Sequence, residues 1–241
     1  MLMKAALNGN RAAGAHPELP VSPAELAEAA ADSVVAGAGA IHLHPRDPAG
    51  SESLAPRDVA SAVAAVKAAV PRTAVGVTTG AWIVPIPAER RALVAGWDVV
   101  PDFASVNFHE DGAEDLAGLL LDRGVEIEAG LRDAAAAARW TKSGLAGRCL
   151  RVLIEPQEAD LAAALRTVAE IEVVLDAADV ATPRLLHGTG ATVWVLIAEA
   201  ARRGYDTRIG LEDTLVREDG TEAAGNAALV VEARRLYRRA R

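Results

Sequence analysis

Short apolar runs alternate with longer alanine-rich stretches along almost the whole chain. A brief apolar run bounded by turn residues reads as a buried strand, and a longer amphipathic stretch as a helix. Strands are expected at Lys4–Asn8, Ala40–His44, Ala74–Thr78, Phe103–Asn107, Glu126–Gly130, Leu150–Ile154, Arg184–His187 and Thr207–Leu211. Helices are expected near Glu25–Ala36, Arg57–Ala69, Glu89–Ala95, Ala113–Leu121, Asp133–Lys142, Asp160–Asp176, Thr192–Arg203 and Ala227–Arg238. Ser22-Pro23-Ala24-Glu25 offers an N-cap serine, a proline at the first helical position and a glutamate that completes a capping box. Gly37 follows the first helix where a left-handed residue ends it, and Gly124, Gly144 and Gly204 hold similar places.

Eight strands, each followed by a helix, imply a parallel sheet closed into a (β/α)8 barrel, with residues 1–241 forming a single domain. A doubly wound open sheet is the competing arrangement. Its G-x-G-x-x-G turn is missing after the first strand, where Asn8-Gly9-Asn10-Arg11 stands. No linker rich in proline, glycine or serine divides the chain.

Within the second strand, His42 and His44 are two positions apart and therefore share one face. Two imidazoles at a buried strand end, followed at once by Pro45-Arg46-Asp47, suit a divalent metal better than a pair of structural histidines. Active sites of such barrels lie at the C-terminal ends of the strands. The other polar clusters are expected there too: Asn8-Gly9-Asn10-Arg11, Thr78-Thr79-Gly80, Ser105-Val106-Asn107-Phe108-His109-Glu110, Glu126-Ile127-Glu128, His187-Gly188-Thr189-Gly190 and Arg208-Ile209-Gly210-Leu211-Glu212-Asp213. The opposite end carries turns without convergent chemistry. Arg208 and Glu212 share a face by the same period of two, so Glu212 is expected to meet His42 and His44 across the first strand. Two histidines and a glutamate form a catalytic zinc set with one open position. Lys4, Lys67 and Lys142 are the only lysines, and none is expected at a strand C-terminus, which argues against a Schiff-base aldolase.

Composition narrows the classes further. Hydrophobic residues make up 51% of the 241, enough for a sizeable core, yet no apolar run is long enough to span a bilayer. A net charge of −8 argues against nucleic acid as a partner, and the basic end from Arg234 to Arg241 suits a helix C-terminus. One cysteine, Cys149, excludes an internal disulfide and fits a reducing cytoplasm, as does a start without signal-peptide features.

Together these segments resemble the zinc-dependent β-keto acid cleavage enzymes, whose best-described activity is 3-keto-5-aminohexanoate cleavage. The match runs through Asn8-Gly9, Pro20-Val21-Ser22-Pro23-Ala24-Glu25, His42-Leu43-His44-Pro45-Arg46-Asp47, Thr78-Thr79-Gly80, Ala104-Ser105-Val106-Asn107, Glu126-Ile127-Glu128 and Arg208-Ile209-Gly210-Leu211-Glu212-Asp213. The resemblance implies that His42, His44 and Glu212 hold Zn²⁺, and that Arg208 and Asp213 carry acid–base work. It also places Glu128, Thr78 and Ser105 in the catalytic set. Arg11, Arg46, Asn107, Thr79 and Gly80 become candidates for substrate contact. The implied reaction takes a β-keto acid and acetyl-CoA to a new CoA thioester and acetoacetate, in a homo-oligomer that is often a tetramer. Arg11 stands where members acting on an amino-substituted acid carry a glutamate, which suggests a keto acid with an uncharged or carboxylate-bearing tail. The region from Arg151 to His187 is more compact than in better-known members, with Leu150-Arg151-Val152-Leu153-Ile154-Glu155-Pro156 as a pattern of its own. Rival readings are a CoA-independent metal aldolase or hydrolase, and a barrel that binds a keto acid without turnover.

Overall fold

Strands β1 (Met3–Ala6), β2 (Ala40–Leu43), β3 (Ala74–Thr78), β4 (Phe103–Asn107), β5 (Glu126–Leu131), β6 (Arg151–Ile154), β7 (Arg184–Leu186) and β8 (Thr207–Ile209) pair in parallel in chain order, with β8 beside β1. A computed structural model describes residues 1–241. Between β7 and β8 the ring closes through the single bridge Leu185–Asp206, with Leu186 N–H donating to the Asp206 carbonyl at 3.0 Å. Helices α1 (Pro23–Val35), α2 (Pro56–Ala69), α3 (Pro87–Ala95), α4 (Ala113–Asp122), α5 (Ala134–Lys142), α6 (Leu161–Ala177), α7 (Val193–Arg203) and α8 (Asn226–Ala240) each follow the strand of the same number. This is the (β/α)8 barrel expected from the alternation.

Local signals act as the residue types dictate. Ser22 and Glu25 form a reciprocal capping box at α1, and Pro56 and Pro87 open α2 and α3. Gly37 adopts φ +103°, a conformation that disfavours any side chain, and so ends α1. β1 stops at Ala6, two residues short of expectation. Beyond it the Asn8 side chain replaces the ladder: its Oδ1 accepts from His44 N–H and its Nδ2 donates to the His44 carbonyl, both at 2.9 Å.

Alternation along each strand sorts residues between two environments. Ala5, Ile41, Val75, Val77, Ala104, Val106, Ile127, Ala129, Val152, Ile154 and Ile209 join the apolar core shared with the helices. The intervening positions face the barrel axis, and many are polar. Near the strand starts, Lys4 pairs with Glu128, both fully buried, and Arg151 lies 3.3 Å from the same carboxylate. The Phe103 ring fills the space over Gly76, where a Cβ would come within 2.0 Å of it. Burial pulls the Lys4 pKa down, and Glu128 partly offsets this.

This layer corrects one expectation. β5 begins at Glu126, so Glu126 and Glu128 lie at its N-terminal end, away from the catalytic mouth. Glu128 is an internal counter-ion for Lys4 and Arg151, and it does not line the cavity described below. Breaking such a pair strands a buried charge. Glu128→Gln is therefore expected to destabilise the fold by about 3–5 kcal/mol, whereas Lys4→Met combined with Glu128→Leu recovers most of that loss. Urea midpoints of the two variants check this; equal losses would contradict it.

Candidate active site

At the C-terminal mouth of the barrel lies a cavity of about 560 Å³, in whose lining only Trp82 and Leu153 are hydrophobic. His42, at the inward-facing position of β2, and His44, two residues on, project into it. Their Nε2 atoms are 3.2 Å apart, and Glu212 Oε2 lies 3.7 Å from the first and 3.6 Å from the second. A circle through three atoms so spaced has a radius of about 2 Å, the length of zinc–nitrogen and zinc–oxygen bonds. Glu212 Oε2 is buried and makes no hydrogen bond, which leaves it free to ligate. The residues present fit a divalent ion.

Two glycines make this geometry possible. A Cβ on Gly9, where φ is +57°, would come within 2.4 Å of Glu212 Cγ. One on Gly210 would come within 1.9 Å of the Ala6 carbonyl oxygen, so only glycine lets the chain after β8 pass this close to β1. On the outer side, His44 Nδ1 lies 2.6 Å from Glu52 Oε1, the carboxylate–histidine arrangement that orients a metal-binding ring. Trp82 Nε1 donates to Glu52 Oε2 at 3.0 Å, and its indole stacks on His44 with ring centroids 6.2 Å apart.

Electrostatics separate the roles of the groups. Burial holds the His42 pKa well below its usual range, so this imidazole is neutral and able to ligate. Burial also opposes protonation of His44, but Glu212 and Glu52 outweigh it and raise that pKa. Arg208 Nη2 donates to Glu212 Oε1 and to Asp213 Oδ1, each at 2.7 Å, while its Nε donates to His187 Nδ1 at 3.2 Å. Despite burial, Arg208 and the two histidines pull the Glu212 pKa far down. Burial pushes Asp213 up, with Arg208 opposing and Glu212 adding to the rise. Two neighbouring carboxylates are thereby split into a permanently ionised one and one with the character of a base.

Of the other expected residues, Thr78, Ser105, Asn107 and Arg11 line the cavity. Thr78 Oγ1 accepts from Gly80 N–H at 3.2 Å, Asn107 Nδ2 donates to Glu110 at 2.9 Å, and Arg11 Nε donates to the Leu211 carbonyl. Arg46, Thr79 and Gly80 lie outside the lining. Arg46 instead braces the first loop, donating to the carbonyls of Gly9 at 2.9 Å and Arg11 at 2.6 Å. Thr79 is tied to the Ser105 carbonyl at 2.7 Å, and Gly80 lies beneath the Trp82 ring, where a Cβ would come within 2.2 Å of it. The strand-end clusters place His187 and His109 at this mouth without a named role, whereas Glu155, Arg132, Gln157 and Glu52 carry no expectation of a site. Glu155 and His187 occupy inward positions at the ends of β6 and β7, a parity readable from Leu153 and Leu185. Glu52 carries no such signal, because a loop brings it to His44. Cys149, which accepts from Trp140 at 3.4 Å, has a thiol pKa raised by burial, as suits an inert thiol.

The family described as beta-keto acid cleavage enzyme matches the chain over residues 1–241. The chain belongs to this family. A search of curated proteins found no match. Among solved structures, the apo form of ObcA is 19% identical with a TM-score of 0.72, over 91% of this chain and 61% of that one. The ternary complex of ObcA with C4-CoA adduct and oxalate is 20% identical with a TM-score of 0.73, over 91% and 63%. This chain therefore spans less than two thirds of ObcA. A 3-dehydroquinate dehydratase from Geobacillus kaustophilus HTA426, 9% identical, aligns over 98% of this chain and 90% of its own with a TM-score of 0.61. At these identities the likeness shows the shared barrel. No helix of this family member is long and apolar enough to cross a membrane.

Burial raises the Glu155 carboxyl from 4.5 to about 7, against the opposing influence of Arg208 and Lys4. Between those values the folded chain keeps a proton that the unfolded chain has lost, so this group's contribution to stability falls as pH rises from 4.5 to about 7. Glu155→Gln is expected to be more stable than the parent at pH 8, with the gain fading toward pH 4. Urea midpoints across that range test it, and equal midpoints at pH 8 would contradict it.

Proposed function

We propose that the protein is a metal-dependent β-keto acid cleavage enzyme that condenses a β-keto acid with acetyl-CoA and releases a new CoA thioester and acetoacetate. The observation that carries this reading is the junction of the His42–His44–Glu212 triad with the Arg208–Asp213 pair in one cavity, in a chain of this family. Zn²⁺ is the ion best matched to two imidazoles and a carboxylate, and when bound it supplies a Lewis acid for the keto oxygen. ObcA, whose complexes contain oxaloacetate in one case and a C4-CoA adduct with oxalate in another, supports a keto acid and a CoA thioester as the reactants.

Asp213 is the base in this reading. Its Oδ1 is held by Arg208, whereas Oδ2 is buried without a partner and free to take the proton from the carbon between ketone and carboxylate. Arg208 keeps that carboxylate oriented and compensates the charge of Glu212 beside it. Thr78 and Ser105, on the wall formed by β3 and β4, donate hydrogen bonds to the oxygen that gains charge. Arg11, whose guanidinium lines the mouth, disfavours an ammonium-bearing tail and suits an uncharged or anionic one. Glu52 orients His44 from behind.

Purified protein supplied with zinc, a panel of β-keto acids and acetyl-CoA should form acetoacetate and a new acyl-CoA, both read by mass spectrometry. Asp213→Asn is expected to lower kcat by about 10²- to 10⁴-fold, the usual worth of a positioned base. Glu52→Gln should weaken zinc affinity by about 10- to 100-fold in competition with a chromogenic chelator. Cleavage that proceeds equally well without acetyl-CoA would replace this reading with a CoA-independent aldolase or hydrolase. Tight keto acid binding without any turnover would make the barrel a binding protein.

A further inference from the structure

On the far side of the Arg208 guanidinium from Glu212, two polar side chains face the cavity and neither is satisfied. His187 follows β7 and Glu155 follows β6, both at inward positions, and both line the cavity. Arginine has only donors, so the contact from Arg208 Nε makes His187 Nδ1 an acceptor. Burial, followed by Arg208 and Lys4, keeps this imidazole neutral, and its one proton therefore sits on Nε2. That N–H is buried without a hydrogen-bond partner. Its nearest carboxylate oxygen, Glu155 Oε2, is 3.5 Å away.

Gly130 on β5 lets the pair sit where it does. A Cβ there would come within 2.6 Å of Glu155 Oε1 and 2.4 Å of Asn107 Oδ1, so the glycine admits both side chains against the strand. The His187 N–H is buried and unmet, and the Glu155 carboxylate beside it reaches the cavity without a hydrogen bond from the protein, so a bound group can satisfy both.

We propose that Glu155 and His187 form a recognition pair for a hydroxyl group on the tail of the keto acid. This deepens the functional reading above and rests on it. A hydroxyl oxygen placed about 2.8 Å from both partners accepts from His187 Nε2–H and donates to Glu155 Oε2, bridging a gap too long for a direct bond. A methyl group satisfies neither partner. An ammonium has no lone pair for the imidazole N–H, and above about pH 7, where Glu155 is ionised, a carboxylate has no proton to give it. Arg208 touches Glu212 and His187 at once, so a keto acid held at the metal triad presents its tail to this pair.

The test is calorimetric titration of the zinc-supplied protein with 3-oxohexanoates carrying a hydroxyl at carbon 4, 5 or 6, against methyl and amino analogues at the same positions. One hydroxyl isomer should bind about 10- to 100-fold more tightly than its methyl counterpart, the worth of two hydrogen bonds to buried groups. Glu155→Met should remove that preference, and Glu155→Gln, which keeps a donor and an acceptor, should retain much of it. Methyl or amino analogues binding as tightly as every hydroxyl isomer, a preference that survives Glu155→Met, or no binding by any analogue would overturn the proposal. Acyl exchange with acetyl-CoA is read in parallel. A hydroxyl preference in binding without exchange would refute the reaction and leave the recognition pair standing.

Discussion

Arg208 is the charge around which the mouth of this barrel is assembled. Glu155, Glu212 and Asp213 converge on one cavity, and two like charges about 4 Å apart repel by several kcal/mol in a protein interior. The guanidinium donates to two of these carboxylates and to His187, and its pKa stays high because the surrounding acids outweigh the cost of its burial. The chain makes this possible by turning sharply after β8. Asp213 N–H donates to the Gly210 carbonyl at 2.9 Å, so residues four and five positions after Arg208 fold back over it. Replacing that cation would release Glu212 and Asp213 at once, remove the charge that opposes the rise of Glu155, and disturb the His42–His44–Glu212 cluster.

Below that level the barrel axis is also charged, but with a different purpose. Lys4, Glu128 and Arg151 compensate one another where many barrels stack aliphatic side chains. Such a layer contributes little net stability compared with apolar packing, and its groups are enclosed by strands on every side. Depth along the strand therefore separates structural ions from reactive ones. The plug residues lie nearer the strand starts and most cavity residues lie at or just past the ends, while Arg208 and Ser105, in mid-strand, reach the cavity from the same register as Lys4 and Glu128.

That distinction explains what was readable from the residues. The eightfold alternation, the shared face of His42 and His44 and the approach of Glu212 all follow from a period of two and from the adjacency of β8, β1 and β2. Glu128 obeys the same parity but sits at the wrong depth: the strand starts at Glu126 as expected, and the third of its six residues lies below the mouth. Strand parity is legible in a sequence; the height of a residue along the barrel axis depends on stagger between strands, which tertiary packing sets. Arg46 and Thr79 fell among the expected substrate contacts because they adjoin true cavity residues, yet their side chains turn to backbone carbonyls. Glu52 was invisible for the opposite reason: loop folding, with no periodic pattern, carries it to His44.

The proposed chemistry requires His42, His44 and Glu212 to clasp one ion. X-ray absorption at the zinc edge, on protein loaded with one equivalent and freed of excess, tests it most directly. The expected spectrum has a first shell of two imidazole nitrogens plus oxygen at about 2.0–2.1 Å and loses imidazole scattering in His42→Ala. A shell without imidazole, or one unchanged by that substitution, would contradict it.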